Sequence, residues 1–185
     1  MAGIVNVLAV SGSLRKASYN TGLLRAAQEL APDGMRIEIY AGLSEVPPYD
    51  EDVRLAGYPA PVADLRERIK AADALLVSSP EFNRGMSGVL KNAIDWVSRP
   101  PEPPFHGKLA CVMTAATGAL AGALANYDMR QVLSSCGVLV LPGKEIMVGG
   151  AKTKFDDAGN LTDEAARSFI AAHLVTFAGQ IRLMR

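Results

Sequence analysis

An apolar run from Ile4 to Val10 breaks into Ser11-Gly12-Ser13-Leu14-Arg15-Lys16-Ala17-Ser18-Tyr19-Asn20, and helical periodicity follows. Hydroxyls and free backbone N–H groups at a helix N-terminus can cradle a phosphate, and an arginine there adds charge-assisted bonds. The same residues also describe a polar turn with Ser18 as an ordinary helix cap. Gly12 is the only glycine in the turn, so a Gly-x-Gly-x-x-Gly dinucleotide motif is absent, as is a Walker loop. A monophosphate held mostly by hydroxyls fits this loop better than a pyrophosphate held by glycines.

A second polar break follows the apolar run Ala74 to Ser78, reading Ser79-Pro80-Glu81-Phe82-Asn83-Arg84-Gly85-Met86-Ser87-Gly88. Phe82 and Met86 offer flat or soft contacts, while Glu81, Asn83 and the backbone offer hydrogen bonds. That mixture suits a heteroaromatic ligand, or a loop whose aromatic simply packs down.

Both loops need a frame. Ile4–Val10, Met35–Tyr40, Ala74–Ser78, Leu109–Thr114 and Val138–Leu141 read as short β-branched or apolar strands, with Lys144–Val148 extending the last edge. Helical spacing of apolar residues lies between them: around Leu23–Ala31, from Pro61 to Ala72, Gly88 to Ser98, Ala121 to Ser135, and Thr162 to Arg182. Thr162 is the expected cap of the last helix, with Ala166, Phe169, Ile170, His173, Leu174 and Phe177 inward. The stretch Ala41–Pro61, with Pro47-Pro48 and Pro59, reads as an irregular loop. Alternating strands and helices imply an α/β, three-layer α/β/α fold on a five-stranded parallel sheet of order 2-1-3-4-5. In such a sheet ligands bind beyond the carboxyl ends of the strands where the order reverses, between strands one and three. The two polar loops leave those two strands.

The chain has 185 residues, 49% of them hydrophobic, which suits a single domain spanning 1–185. Nineteen basic residues balance nineteen acidic ones. This argues against nucleic acid or a membrane surface as partner, since those require a basic field. No membrane span or signal peptide is legible, so the expected location is cytoplasmic. Cys111 and Cys136 form neither a disulfide framework nor a metal pattern, and Cys111 reads as a core residue. His106 and His173 have no partners suggesting a triad or a metal, and no Gly-x-Ser-x-Gly elbow occurs. No catalytic acid or base is assigned.

Taken together, Ser11-Gly12-Ser13-Leu14-Arg15 with Ser18 and Asn20, then Pro80-Glu81-Phe82-Asn83 followed by Gly88-Val89-Leu90-Lys91-Asn92-Ala93-Ile94-Asp95-Trp96, resemble the signatures of the NADPH-dependent FMN reductase family, which has the flavodoxin-like fold and includes quinone and chromate reductases. The likeness runs from residue 4 to about 148. It implies that Ser11, Ser13, Arg15, Ser18 and Asn20 hold the phosphate and ribityl end of FMN. It further implies that Pro80, Glu81, Phe82 and Asn83 line the isoalloxazine, and that Ala116, Thr117 and Gly118 close its other side. The implied reaction is ping-pong: NADPH or NADH reduces the flavin, and a quinone, or another small acceptor such as flavin, chromate or an azo compound, reoxidises it. A homodimer or homotetramer is implied as well. A flavodoxin-type electron carrier and an FMN reductase feeding a partner monooxygenase are the alternatives. Phe82 stands where the family usually has tyrosine, Ser87 where it has proline, and an arginine common near Leu124 is missing. Lys91 to Trp96 reads as structural, because a flavin supplies its own reactive atom.

Overall fold

The structure, a computed structural model, describes residues 3–185. Its strands are β1 (Val5–Ser11), β2 (Met35–Ile39), β3 (Ala74–Ser78), β4 (Leu109–Ala115), β5 (Leu139–Val140) and β6 (Ile146–Val148). The helices are α1 (Tyr19–Glu29), α2 (Glu51–Ala56), α3 (Ala60–Ala71), α4 (Gly88–Val97), α5 (Ala123–Ser135) and α6 (Glu164–Leu183). All pairings are parallel, in the order β2-β1-β3-β4-β5, with β6 also pairing β4. The doubly wound order expected from the sequence is present.

The fifth position of the sheet is shared by two strands. Leu139 and Val140 pair the start of β4, and Ile146–Val148 pair its end. Pro142 has no N–H to continue the ladder, and Gly143 lies at φ +105°. One edge strand is thus interrupted into β5 and β6, making six strands where five were expected.

Side chains alternate across the sheet and divide the core in two. Val5, Val7 and Ala9 of β1 join Leu76 of β3 and Cys111 and Met113 of β4 under α1 and α6. Leu8 and Val10 join Leu75, Val77, Ala110 and Val112 under α3, α4 and α5. The central strands β1, β3 and β4 therefore carry apolar residues on both faces, as a parallel sheet covered by helices requires, whereas edge strand β2 exposes Arg36 and Glu38.

Three sequence expectations are corrected. The Ala41–Pro61 stretch holds a 3-10 turn, Gly42–Glu45, and the helix α2. No residue of α2 is buried, so it has no apolar stripe to betray it. The Asp50 carboxylate caps it, accepting from the N–H groups of Asp52 and Val53, and Arg54 pairs with Glu51. Hydrogen bonds from Arg54 and the Tyr49 hydroxyl hold the Glu51 carboxyl down at about 2. The cap of α6 is Asp163, whose Oδ1 accepts the Ala166 N–H at 2.8 Å. Thr162 instead donates to the Lys154 carbonyl. Phe169 is not inward: it stands at the surface, its ring centroid 4.3 Å from that of half-buried His173.

The motif Lys91–Trp96 is structural. The Asn92 amide and the Trp96 indole N–H both donate to the Pro47 carbonyl at 2.8 Å, and Asn92 Oδ1 accepts the Tyr49 N–H. They pin the proline loop onto α4. Lys91 and Asp95 pair along the helix surface.

Cys111 is fully enclosed, and burial pushes its thiol up to about 12, whereas Cys136 is half-buried. Thiolate is the reactive form. At pH 8 the native protein should therefore react with a disulfide reagent at Cys136 only, and two thiols should titrate after unfolding in guanidinium. Rapid reaction of both thiols in the native state would contradict the enclosed core.

Candidate functional site

The loops after β1, β3 and β4 converge at the carboxyl edge of the sheet. Gly12 sits where the first two meet. Its N–H donates to the Ser78 carbonyl at 2.7 Å, and a Cβ there would lie 2.7 Å from Ser87 Oγ and 2.9 Å from Ser79 Oγ. Only glycine permits this approach. Ser79 Oγ accepts the Ser87 N–H, and Ser87 in turn caps α4.

Ser18 caps α1, its hydroxyl accepting the Thr21 N–H. No acidic residue occupies the first turn of that helix, so no side-chain charge there offsets the positive end of its dipole. Ser11 Oγ is 2.7 Å from Thr21 Oγ1 and accepts the Ser13 N–H, while Ser13 Oγ accepts the Arg15 N–H. The loop is thus wound around its own hydroxyls. Ser13 is half-exposed and Arg15 is exposed, with its guanidinium 5.3 Å from the Tyr19 ring centroid. Among the described residues Arg15, Lys16 and Arg84 make no ion pair.

Asn20 is placed differently from the other loop residues. Its buried side-chain oxygen accepts from Ala115 N–H and Ser78 Oγ, and its amide nitrogen donates to the Ala115 carbonyl, all within 3.0 Å. It ties α1 to the ends of β3 and β4.

The loop after β3 is a tight hairpin. Phe82 and Gly85 exchange both backbone hydrogen bonds, and the two residues between them, Asn83 at φ +51° and Arg84 at φ +70°, are left-handed. That is the geometry of a type I′ turn, which prefers Asn-Gly. Arginine at the second position is strained. Two carboxylates fasten this hairpin to α5. Glu81 accepts the N–H groups of Leu124 and Ala125 at 2.9 and 3.2 Å, capping that helix from outside its own chain segment. Asp128 of α5 accepts the Met86 N–H at 2.9 Å. Phe82 is left 59% exposed at the rim, whereas Met86 is buried in the core and offers nothing to a ligand. Thr117 and Gly118 are exposed and Ala116 half-exposed, followed by left-handed Ala121 and Gly122 at the start of α5.

Of the residues singled out by sequence, Ser13, Arg15, Ser18, Pro80, Glu81, Phe82, Asn83, Ala116, Thr117 and Gly118 lie on these three loops, with Ser11 at the end of β1 and Asn20 beneath them. Asp128 and the capping role of Glu81 were not anticipated, because nothing local signals a bond across more than forty residues. His106 packs against Gly137, and both His173 ring nitrogens face carbonyls, of Phe169 and Lys144.

An open parallel sheet with a hydroxyl-lined helix N-terminus on one side of its switch point and an exposed aromatic hairpin on the other defines a flavodoxin-like nucleotide-binding protein. The profile of the NADPH-dependent FMN reductase family matches residues 5–153, and the chain belongs to that family. It is 46% identical to an NAD(P)H-dependent FMN reductase of Pseudomonas aeruginosa, over the full length of both chains. It is 35% identical to a quinone reductase of Escherichia coli K12, covering 96% of this chain and 95% of that one. Its backbone superposes on the flavoenzyme NAD(P)H:(acceptor) oxidoreductase FerB of Paracoccus denitrificans with a TM-score of 0.88, at 30% identity, covering 98% and 99% of the two chains.

Two substitutions test the hairpin. Arg84→Gly should relieve the left-handed strain by about 1 kcal/mol and raise Tm by about 2–4 °C. Glu81→Ala should leave two first-turn N–H groups of α5 uncapped and reduce stability by about 1–2 kcal/mol, read from urea denaturation. An Arg84→Gly protein that melts earlier would refute the turn assignment.

Proposed function

We propose that this chain is an FMN-dependent NAD(P)H oxidoreductase that reduces quinones or similar small acceptors by two electrons. The observation that carries the reading is the close approach, at Gly12, of the loop leading into a helix N-terminus free of acidic residues to Ser79 and Ser87, which flank the hairpin bearing exposed Phe82. The donor set fits FMN. A terminal phosphate matches the α1 N-terminus with Ser11, Ser13, Arg15 and Ser18 around it, and the Gly12 approach keeps side chains out of the space between the loops. Held there, FMN would supply the redox chemistry, acceptance of a hydride equivalent from a reduced nicotinamide and two-electron donation to the acceptor.

The chain's own residues bind and orient. Asn20 holds the first loop to the sheet from below. Pro80, Glu81, Phe82 and Asn83 form one wall, and Ala116, Thr117 and Gly118 the other. Glu81 and Asp128 keep the hairpin from moving, so its backbone groups are preorganised toward a flat ring. No side chain is assigned a proton transfer.

The same reading includes one domain, a cytoplasmic location and a homodimer or homotetramer. No helix among the described residues is long and apolar enough to cross a membrane. Phe82, Leu120, Leu124 and Tyr127 stand exposed around the α5 end of the site, and such apolar surface favours a covering subunit. Free flavin as the acceptor is the second reading, favoured by the name of the P. aeruginosa relative. A carrier docking on protein partners is disfavoured by a net charge of zero, which gives no field for steering.

The test is one cuvette. Purified protein with FMN should retain a yellow flavin spectrum through gel filtration, bleach on adding NADPH or NADH, and regain colour with benzoquinone. A bound flavin that neither nucleotide bleaches would overturn the reductase in favour of the carrier. Flavin lost on the column, with steady FMN-dependent NADPH oxidation, would favour the second reading.

A further inference from the structure

Beyond the family match, a hairpin bridged at Phe155 and Leu161 lies against the back of the first loop. Its tip is closed by the Asp156 carboxylate accepting the Asn160 N–H at 2.7 Å and by the Gly159 N–H donating to the Asp156 carbonyl. The tip meets the first loop backbone to backbone. A Cβ on Gly22 would come within 1.9 Å of the Gly159 carbonyl oxygen. A Cβ on Gly159, at φ +78°, would come within 2.8 Å of the Ala17 carbonyl carbon. No side chain fits on either side of this contact.

Arg25 of α1 fastens the hairpin in place. Its Nη2 donates to the carbonyls of Gly159 and Ala158 at 2.8 and 3.2 Å, and its Nε to Asn160 Oδ1 at 2.9 Å. At the base, the Phe155 ring lies 4.9 Å from that of Tyr19, the first residue of α1, and Phe155 and Leu161 are buried in the core. The hairpin therefore touches Ala17 at the end of the first loop and Tyr19, Gly22 and Arg25 along the first two turns of α1.

We propose that the Phe155–Leu161 hairpin, through Gly159 and the Arg25 bonds, is a positioning element that sets the phosphate-binding geometry of the first loop. The inference rests on reading that loop as the FMN phosphate site. Helix N–H groups recognise an anion only when their directions are fixed. The hairpin fixes them from the side opposite the ligand, so its loss weakens recognition of the phosphate more than that of the ring.

Riboflavin, which lacks the phosphate, separates the two. The full-length apoprotein is titrated with FMN and with riboflavin by quenching of flavin fluorescence, for the wild type, Arg25→Ala and Gly159→Ala. The wild type should bind FMN more tightly than riboflavin. Both variants should lose about tenfold in FMN affinity, the equivalent of about one charged hydrogen bond, with riboflavin affinity unchanged. Thermal unfolding of the apoproteins verifies that each is folded, and Arg25→Ala decides the matter if Gly159→Ala does not fold. A variant that keeps the wild-type ratio of the two affinities, whether both are retained or both fall together, overturns the proposal. A wild type with no preference for FMN overturns the phosphate reading, and the proposal with it.

Discussion

The side-chain amide of Asn20 is the tie on which the arrangement of the site depends. It is buried at the carboxyl edge of the sheet, with its oxygen on Ala115 N–H and Ser78 Oγ and its nitrogen on the Ala115 carbonyl. β3 pairs β4 only as far as Ser78 opposite Met113, so the N–H and carbonyl of Ala115 have no β3 partner, while Ser78 presents its hydroxyl beside them. An unsatisfied buried group costs about 1–3 kcal/mol, and one amide here satisfies several at once. It does so from the second residue of α1, which fixes where that helix begins. The helix N-terminus, the Ser11–Ser18 loop and the Gly12 approach to Ser79 and Ser87 all follow from that anchor.

Around this anchor, order is built from hydrogen bonds between loops rather than from apolar contact. Glu81 reaches α5, Asp128 reaches back to Met86, and Arg25 reaches the Gly159 hairpin. Each joins a charged side chain to backbone N–H or carbonyl groups, the stronger kind of hydrogen bond. Backbone aimed at a ligand cannot also be held by secondary structure, so it must be held from behind. Left-handed Asn83, Arg84 and Ala121 show the conformational cost of that design, concentrated at the site's rim.

The frame was legible in the sequence because parallel strands buried on both faces are short apolar runs bounded by turns. The runs Val5–Ser11, Ala74–Ser78 and Leu109–Ala115 admit few other readings, and Met35–Ile39 shows itself instead by alternation, with Arg36 and Glu38 exposed between its apolar residues. α2 was not legible, since it buries no residue and exists through a cap and an ion pair. Phe169 fitted the apolar stripe of α6 yet stands outside, because periodicity gives a face but not how far the sheet beneath extends. At the site, the loops were readable from their position after β1 and β3. What each side chain does there was not, because Asn20, Glu81 and Asp128 act across 42 to 95 residues of chain. Asn20 drew notice as a polar residue in a polar loop, and its polarity turns out to serve the sheet.

The charge balance takes on a different meaning beside the structure. Nineteen positive and nineteen negative residues leave no net field, and beyond a Debye length of about 8 Å an approaching anion encounters little attraction. Within that distance the sign is set by which charges are paired. Arg54, Arg68, Arg130, Arg167 and Arg185 are held by carboxylates elsewhere on the molecule. Arg15 and Lys16 on the first loop and Arg84 on the hairpin have no such partner among the described residues, while the nearby Glu81 and Asp128 are occupied by backbone N–H groups. Glu81 and Asp128 keep their negative charge while accepting those bonds and offset Arg84, so the positive surplus is confined to the first loop, where Ser11–Asn20 carries Arg15 and Lys16 and no carboxylate. Such a loop can hold an anionic ligand at contact without attracting polyanions from a distance, which is the discrimination a small-molecule site requires.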